Sequence, residues 1–251
     1  MIIHLSRSVY DRLSQSEKQV IDFINQNEKL IPSLSITQLT EKTFTSSPTV
    51  SRTIQKCGFS GISELRHQIS QQMSNEKGND SPFIVNSILE KSFRECKETI
   101  DLIPTTSILK TIEYIKEAQR IFIFARGFSA IIAEEFQMYL QLLGYNAIIV
   151  KDVMWMKKTH KIVKSTDMAI IFSVRNSTPE LLASAKTIHR IGAKLVTCCC
   201  LSPTPLEDYS DISIIGHSEQ IMEIHDLKVY SKIPLFIIAR TIIDYISAEE
   251  Q

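Results

Sequence analysis

Apolar residues recur at helical spacing in the first third of the chain. They share one face of a predicted helix over residues 13–27: Leu13, Val20, Ile21, Phe23 and Ile24. Further along, runs of four to eight apolar residues alternate with helical patterns, a rhythm typical of strands separated by helices. The hydrophobic pattern therefore predicts an all-helical region followed by an α/β region.

Two short helices follow the first one. Ser35 with Gln38 three residues later has the pattern of a capping box, and it predicts a helix to about Lys42. Residues 43–45 form the predicted turn, and the run 46–48 (Ser-Ser-Pro) begins another helix, which Gly58 ends. Two helices joined by so short a turn predict a helix-turn-helix.

The second of these helices has a polar face of small hydroxyls and one arginine. Its candidate DNA-contacting residues are Ser46, Ser47, Thr49, Ser51, Arg52 and Gln55. Val50 and Ile54 are expected to be buried beneath them. Hydroxyls at a helix start suit phosphate and base-edge contacts, and an arginine suits guanine or phosphate. The alternative is a structural three-helix domain in which the serines only cap helices.

The later region predicts a parallel sheet. The predicted strands are residues 120–125, 146–150, 168–174, 194–201 and 211–215, and the predicted helices between and after them are residues 129–143, 179–191 and 230–246. Continuous apolar strands separated by helices favour a doubly wound, three-layer domain with five parallel strands. Ligands of such sheets bind at the carboxyl ends of the strands, which directs attention to the turns after Ala125 and Ser173.

A polar stretch separates the two regions. Residues 71–82 contain Gly, Asn, Asp and Pro and, apart from Met73, no large apolar residue, so we expect a linker there. The predicted domains are a helix-turn-helix domain (residues 1–77), a linker with a connecting helix (78–105) and an α/β domain (106–251).

Composition excludes several classes of protein. Of the 251 residues, 43% are hydrophobic and 22% are charged, which is incompatible with general disorder. The 28 basic and 28 acidic side chains cancel, so any nucleic-acid surface depends on placement rather than on bulk charge. Neither a signal peptide nor a membrane span is expected, and the five cysteines lack metal-site spacing. We expect a cytoplasmic protein without a metal or cofactor.

The N-terminal region resembles RpiR-type bacterial transcriptional regulators. The resemblance rests on separated blocks in the right order, namely residues 13–20 (LSQSEKQV), 34–39 (LSITQL), 49–52 (TVSR) and 57–66 (CGFSGISELR). In that family the Thr-Val-Ser-Arg block lies on the DNA-recognition helix. One departure is that Phe44 and Thr45 stand in the turn, where the family usually has glycine and an aliphatic residue.

Residues 106–246 resemble the phosphosugar-binding SIS domain that follows the linker in this family. The loop 125–129 (ARGFS) is similar to the family's first Gly-x-Ser loop, and residues 167–180 are similar to its Ser-x-Ser-Gly-x-Thr loop. Here Arg175 replaces the second Ser and Asn176 replaces the Gly. The resemblance, together with helix N-termini that suit a phosphate, implies a sugar-phosphate site formed by Arg126, Ser129, Ser173, Arg175, Ser177 and Thr178. The alternative is a domain that has lost its ligand, with these residues as helix caps.

An isomerase on this fold needs a base beside the sugar, and Glu219, Glu223 and His225 are the candidates. We expect binding without turnover and therefore no catalytic residues. The expected partners are double-stranded operator DNA, a sugar-phosphate effector and a second copy of the chain, as a homodimer or homotetramer. The apolar faces that would pair with this second copy are expected on residues 84–103 and 230–246. A phosphosugar isomerase and a ligand-free dimeric DNA-binding protein remain the alternative functions.

Overall fold

A computed structural model describes residues 3, 5, 7–74, 81–175, 178–225 and 227–249. The side chains of residues 7, 8, 73, 74 and 81–83 are outside the description. The chain forms two compact units, Met1–Phe93 and Arg94–Gln251. We call them the N-terminal unit and the C-terminal unit. One long helix begins in the first unit and ends in the second.

The N-terminal unit is helical. Its helices are α1 (Arg7–Tyr10), α2 (Gln15–Gln26), α3 (Ile36–Thr43), α4 (Ser47–Lys56), α5 (Ile62–Ser74) and the first part of α6 (Ser81–Leu102). Fully buried aliphatic side chains from α2, α3, α4 and α5, among them Ile24, Leu39, Ile54 and Leu65, form one core. The predicted helices in this region are confirmed.

The caps in this unit explain where the helices begin and end. Ser14 with Glu17 starts α2 and Ser35 with Gln38 starts α3, each as a complete capping box. Phe44 ends α3 in the left-handed conformation at φ 52°, a conformation that glycine adopts most easily. The tight turn therefore forms without glycine, and the Phe44 side chain is left 94% exposed.

The C-terminal unit begins with the end of α6 and continues as an α/β domain. Its elements are α7 (Thr105–Glu117), β1 (Ile121–Ala125), α8 (Ser129–Leu142), β2 (Ala147–Val150), α9 (Val153–Met156), α10 (Thr159–Ile162), β3 (Met168–Ser173), α11 (Pro179–Ile191), β4 (Lys194–Cys199), β5 (Ile212–Ile215), β6 (Gln220–Ile224), β7 (Leu227–Tyr230) and α12 (Ile233–Glu249).

Five strands form one parallel sheet in the order β2-β1-β3-β4-β5. Apolar side chains are buried on both faces, where α7, α8 and α12 pack on one side and α11 packs on the other. This confirms the predicted three-layer fold. The order of the strands reverses between β1 and β3, and ligands bind in such sheets at this switch point, outside the carboxyl ends of the strands.

Two local predictions are wrong. The predicted helix from Tyr230 begins at Ile233, because β6 (Gln220–Ile224) and β7 (Leu227–Tyr230) pair as antiparallel strands before it. Ser129 does not cap α8, since it is the first helical residue and Phe128 precedes it as the N-cap. The predicted linker at 71–82 overlaps the ends of α5 and α6, and residues 75–80 within it lie outside the described residues.

The described ranges contain neither a membrane-spanning helix nor a metal-binding cluster. In these ranges no helix is both long enough and apolar enough to cross a membrane. The same part of the chain contains no group of three or more histidine, cysteine, aspartate or glutamate side chains that could hold a metal ion.

Cys198 and Cys199 are buried, and burial raises the pKa of the Cys198 thiol.

Candidate functional site

A pocket opens at the carboxyl ends of β1 and β3 in the C-terminal unit. Its empty volume, including the solvent at its mouth, is about 550 Å³. The described residues that line it are Arg126, Phe128, Ser129, Ser173, Val174, Arg175, Thr178, Leu227, Lys228, Val229, Tyr230 and Lys232. Two strand-to-helix turns and the β6–β7 hairpin therefore share one site.

The two turns place hydroxyl groups at helix N-termini. After β1 the chain turns at Gly127, whose φ of 53° favours glycine, and α8 begins at Ser129. After β3 the chain reaches Thr178, whose side chain makes no capping hydrogen bond to α11. The amides at the start of each helix and their dipoles make both N-termini attractive to an anion.

Four of the described lining residues carry positive charge. They are Arg126, Arg175, Lys228 and Lys232, and none of the described lining residues is a carboxylate or a histidine. Such a site favours an anion, and hydroxyls with cations are the donors that a phosphate prefers. An aldose–ketose isomerase additionally needs a base at the substrate. The three candidates for that base, Glu219, Glu223 and His225, are not among the described lining residues.

Aromatic rings and carbonyls hold three of the cations in place. The Arg175 guanidinium lies 4.7 Å from the centre of the Tyr230 ring, and Lys232 Nζ lies 5.8 Å from that of Phe128. Arg126 Nη1 donates to the carbonyl of Lys151 at 2.7 Å, and Lys232 donates to the carbonyl of Tyr230. Burial lowers the pKa of Lys232, against the opposing effects of Cys200 and Glu95.

The structure brings most of the predicted phosphosugar residues together. Arg126, Ser129, Ser173, Arg175 and Thr178 line the same pocket, and Ser177 lies outside the described residues. Sequence reasoning missed Lys228, Tyr230 and Lys232, which enter the pocket from the unpredicted hairpin. The alternation at residues 227–230 (LKVY) was the available signal for a strand there.

The polar face of α4 lies as the sequence predicts for a recognition helix. Val50 and Ile54 are fully buried. The six candidate residues of the opposite side, Ser46, Ser47, Thr49, Ser51, Arg52 and Gln55, are exposed or half-buried.

Two contacts hold this face in place. The Ser46 hydroxyl accepts from the amide of Thr49 at 3.3 Å and so caps α4. Arg52 Nε donates to the carbonyl of Pro48 at 3.2 Å, which leaves the rest of an exposed guanidinium free to reach outward.

An ion pair fixes α4 against α2. Lys56 Nζ lies 2.6 Å from Glu17 Oε1, and the other carboxylate oxygen of Glu17 accepts from the amide of Ser14 at 2.9 Å. The hydrogen bond from Lys56 is the main cause that lowers the pKa of Glu17. One carboxylate thus caps α2 and anchors the end of the helix that carries Arg52.

The N-terminal unit contains a helix-turn-helix, and the C-terminal unit contains an anion pocket at the switch point of an α/β sheet. This combination defines a class of protein, the transcriptional regulators that carry a small-molecule-binding domain. The family models agree with this class. Residues 2–76 match the helix-turn-helix domain of the rpiR family, and residues 114–236 match the SIS domain. The chain is therefore a transcriptional regulator of the RpiR type.

Other regulators are similar to this chain over most of its length. An HTH-type transcriptional regulator of Haemophilus influenzae is 23% identical, with 85% of this chain and 78% of that protein covered. The HTH-type transcriptional regulator GlvR of Bacillus subtilis is 23% identical, with coverage of 96% and 94%. The Vibrio vulnificus NanR protein complexed with ManNAc-6P is similar in structure, with a TM-score of 0.60, 21% identity and coverage of 97% of this chain and 90% of that one.

Proposed function

We propose that a sugar phosphate binds in the pocket of the C-terminal unit and changes the affinity of the N-terminal unit for operator DNA. The observation that supports this most is the convergence of Ser129, Ser173 and Thr178 with four cations at the N-termini of α8 and α11. The complex of the similar NanR protein with ManNAc-6P agrees with a ligand of this class. The regulated operon is accordingly one of sugar metabolism.

We propose that the ligand is bound without being converted. The described lining residues supply donors and positive charge for a phosphate, but they supply no carboxylate or imidazole that could move a proton between sugar carbons. The relatives named as transcriptional regulators support the same view. The protein is thus a sensor and acts in the cytoplasm, where operator DNA and phosphorylated sugars meet.

The proposed domains are those that the sequence predicts: residues 1–77 for DNA, 78–105 as linker and connecting helix, and 106–251 for the ligand. The family models at 2–76 and 114–236 support the two outer domains. The polar face of α4, with Arg52 at its centre, is the proposed DNA-reading surface.

The proposed assembly is a homodimer, which gives two recognition helices for a two-fold operator. A groove between α8 and α12 is lined by the apolar side chains of Phe136, Tyr139, Phe236 and Ile243. Its lining also includes the charged Glu135, Arg240 and Asp244, of which opposite signs can pair across a two-fold axis. The α12 face that the sequence indicates for a second copy is therefore supported by this groove. Along α6, exposed apolar residues such as Val85, Leu89 and Ile100 mark the other indicated face.

The test is a binding screen of the full chain. Fructose 6-phosphate, glucosamine 6-phosphate, ribose 5-phosphate and ManNAc-6P are added separately, and the thermal unfolding midpoint is measured, with NMR of each mixture for product. We expect a stabilising shift and no new sugar signal. New product would identify an isomerase, and the absence of any shift across hexose, pentose and amino-sugar phosphates would identify a domain without a ligand.

A further inference from the structure

Residues 216–219 join β5 to β6 in the C-terminal unit and contact both the pocket wall and α6. We call this stretch the 216–219 segment. It leads directly into the hairpin whose second strand lines the pocket. Its partners on the two sides are different residues, namely Ser231 at the pocket wall and Glu95 and Thr99 on α6.

On the pocket side the segment is bonded to Ser231. This residue is 4% exposed and lies in the chain between Tyr230 and Lys232, both of which line the pocket. Its amide donates to the carbonyl of Glu219 at 3.0 Å, and its carbonyl accepts from the hydroxyl of Ser218 at 2.9 Å. A shift of the pocket wall at Ser231 therefore strains or moves the 216–219 segment.

On the other side the segment is bonded to α6 through two buried side chains. The amide of Glu219 donates to Glu95 Oε1 at 2.8 Å. The hydroxyl of Thr99 accepts from the amide of His217 at 3.1 Å and donates to the carbonyl of the same residue at 3.3 Å. Glu95 is 2% exposed and Thr99 is fully buried, so breaking these bonds leaves polar groups without water.

Ion pairs at the surface reinforce this attachment. Arg94 Nη2 lies 2.7 Å from Glu219 Oε1. His217 Nδ1 lies 3.1 Å from Glu98 Oε2, a contact that is an ion pair only when the imidazole is protonated. Arg94 and Glu98 are on α6, whereas Glu219 and His217 belong to the 216–219 segment. The exposed pairs contribute little each, but they repeat the link that the buried bonds make.

Close packing leaves the segment no room to move alone. A Cβ at Gly216 would stand 2.6 Å from Pro234 Cβ and 3.2 Å from Thr99 Cγ2. Only glycine fits between α6 and the start of α12. A displacement of the segment is therefore passed to its neighbours rather than absorbed by a void.

An electrostatic interaction also links the pocket to Glu95 on α6. Lys232 lines the pocket and interacts electrostatically with Glu95. An anion that binds at the half-buried Lys232 reduces the attraction of that charge for the buried carboxylate of Glu95. Ligand binding thus weakens one of the forces that act on the buried side of α6.

We propose that the 216–219 segment transmits the binding of a sugar phosphate to α6, with Thr99 and Glu95 as the positioning residues that couple the pocket to operator binding. The inference rests on the proposed function. Its physical basis is the continuous chain of hydrogen bonds from Ser231 to α6, which is one helix from Ser81 to Leu102 and so continues into the N-terminal unit. A ligand that prefers one arrangement of this chain shifts the population of α6 positions.

The test compares Thr99→Val with Thr111→Val in the full-length protein. Valine keeps the shape of threonine and removes the hydroxyl. Thr111 is also fully buried, but its hydroxyl donates only to the carbonyl of Ser107 within α7 at 2.7 Å. The control therefore carries the same chemical change without a link to the 216–219 segment.

Two quantities are measured for each variant. The first is the Kd of the sugar phosphate, by calorimetry. The second is the change that the sugar phosphate causes in the Kd for DNA, using a fragment that the wild-type protein selects from a random library. The probe is whichever of fructose 6-phosphate, glucosamine 6-phosphate, ribose 5-phosphate and ManNAc-6P stabilises the wild-type protein most. For the wild type and Thr111→Val we expect the probe to change DNA affinity by about 5- to 150-fold. For Thr99→Val we expect the probe to bind but to change DNA affinity by less than about twofold.

The outcomes separate the two proposals. If Thr99→Val binds the probe and responds as the wild type does, the transmission route is wrong and the proposed function stands. If no probe binds the wild type, both are wrong. Should Thr99→Val fail to fold, Glu95→Met replaces it, because it removes both the acceptor for the Glu219 amide and the carboxylate charge. An undiminished response of Glu95→Met then overturns the route.

Discussion

The ammonium of Lys56 lies 2.6 Å from a carboxylate oxygen of Glu17 and ties the last turn of α4 to the first turn of α2. Because Glu17 also receives the amide of Ser14, one side chain sets both the start of α2 and the position of the proposed recognition helix. We expect Glu17→Gln to lower the free energy of unfolding by about 0.5–2 kcal/mol, measured by urea denaturation. Glu41→Gln, an exposed change on α3, is the control and is expected to have no measurable effect.

The same pair predicts a pH dependence. The pKa of Glu17 is lowered in the folded protein from its ordinary value of 4.5, mainly by the hydrogen bond from Lys56. The stabilisation by this carboxylate is therefore complete above pH 4.5 and is lost as the pH falls through the lowered pKa. The stability difference between the wild type and Glu17→Gln should shrink in that direction. A difference that grows on acidification would contradict the assignment.

Phe44 ends α3 with a backbone conformation that glycine adopts more easily. Its φ is 52° and its side chain is almost fully exposed, so replacement removes strain and few contacts. We expect Phe44→Gly to raise the free energy of unfolding by about 0.5–1 kcal/mol, whereas Phe44→Ala should bring no gain because alanine keeps the Cβ. Equal effects of the two changes in urea denaturation would show that the turn is unstrained.

Arg52 is expected to be a direct DNA contact of α4. The change Arg52→Ala should weaken binding to the selected DNA fragment by about 1–3 kcal/mol if the guanidinium reads a base edge. Lys29→Ala, which removes an exposed cation outside α3 and α4, is the control for a general loss of charge. Unchanged affinity for both Arg52→Ala and Ser51→Ala in fluorescence anisotropy would refute the recognition-helix assignment.

The pocket hydroxyls are expected to bind the phosphate. Ser173→Ala combined with Thr178→Ala should abolish the thermal shift that the best sugar phosphate produces. The double change removes two hydroxyl donors, one at the carboxyl end of β3 and one at the start of α11. Thr187→Val, a change at a half-buried residue of α11 whose hydroxyl donates to the carbonyl of Ala183, is the control. A shift that persists in the double variant would place the ligand elsewhere.

The groove between α8 and α12 is expected to be a dimer interface. Sedimentation equilibrium at micromolar concentration should give about twice the 28.6 kDa of one chain. Tyr139→Glu with Phe236→Glu should give the single-chain mass, because two carboxylates enter an apolar contact. Leu30→Glu, at a similarly exposed apolar residue in the N-terminal unit, should leave the mass unchanged. A wild-type mass of one chain would refute the dimer.

Local signals in the sequence determined most of the fold. The capping box at Ser35, Pro179 at the start of α11 and Gly192 at its end act over a few residues, and the structure has these helix boundaries where the signals place them. The five parallel strands were equally clear, since strands buried on both faces are continuously apolar. The sequence also predicts that the two loops at the pocket lie close together, because the carboxyl ends of parallel strands meet at the same edge of the sheet.

Only the tertiary structure decided the rest. The β6–β7 hairpin has short strands with exposed or half-buried side chains, and the alternation at residues 227–230 is only a weak hydrophobic signal. Its place at the pocket beside the ends of β1 and β3 depends on contacts between residues far apart in sequence. Lys228 and Lys232 therefore became part of the site only in three dimensions. The bonds of Glu95 and Thr99 to residues more than 100 positions later are likewise invisible to any local rule. Periodicity and capping report on neighbours along the chain, whereas the closing of a pocket and its link to α6 are properties of packing.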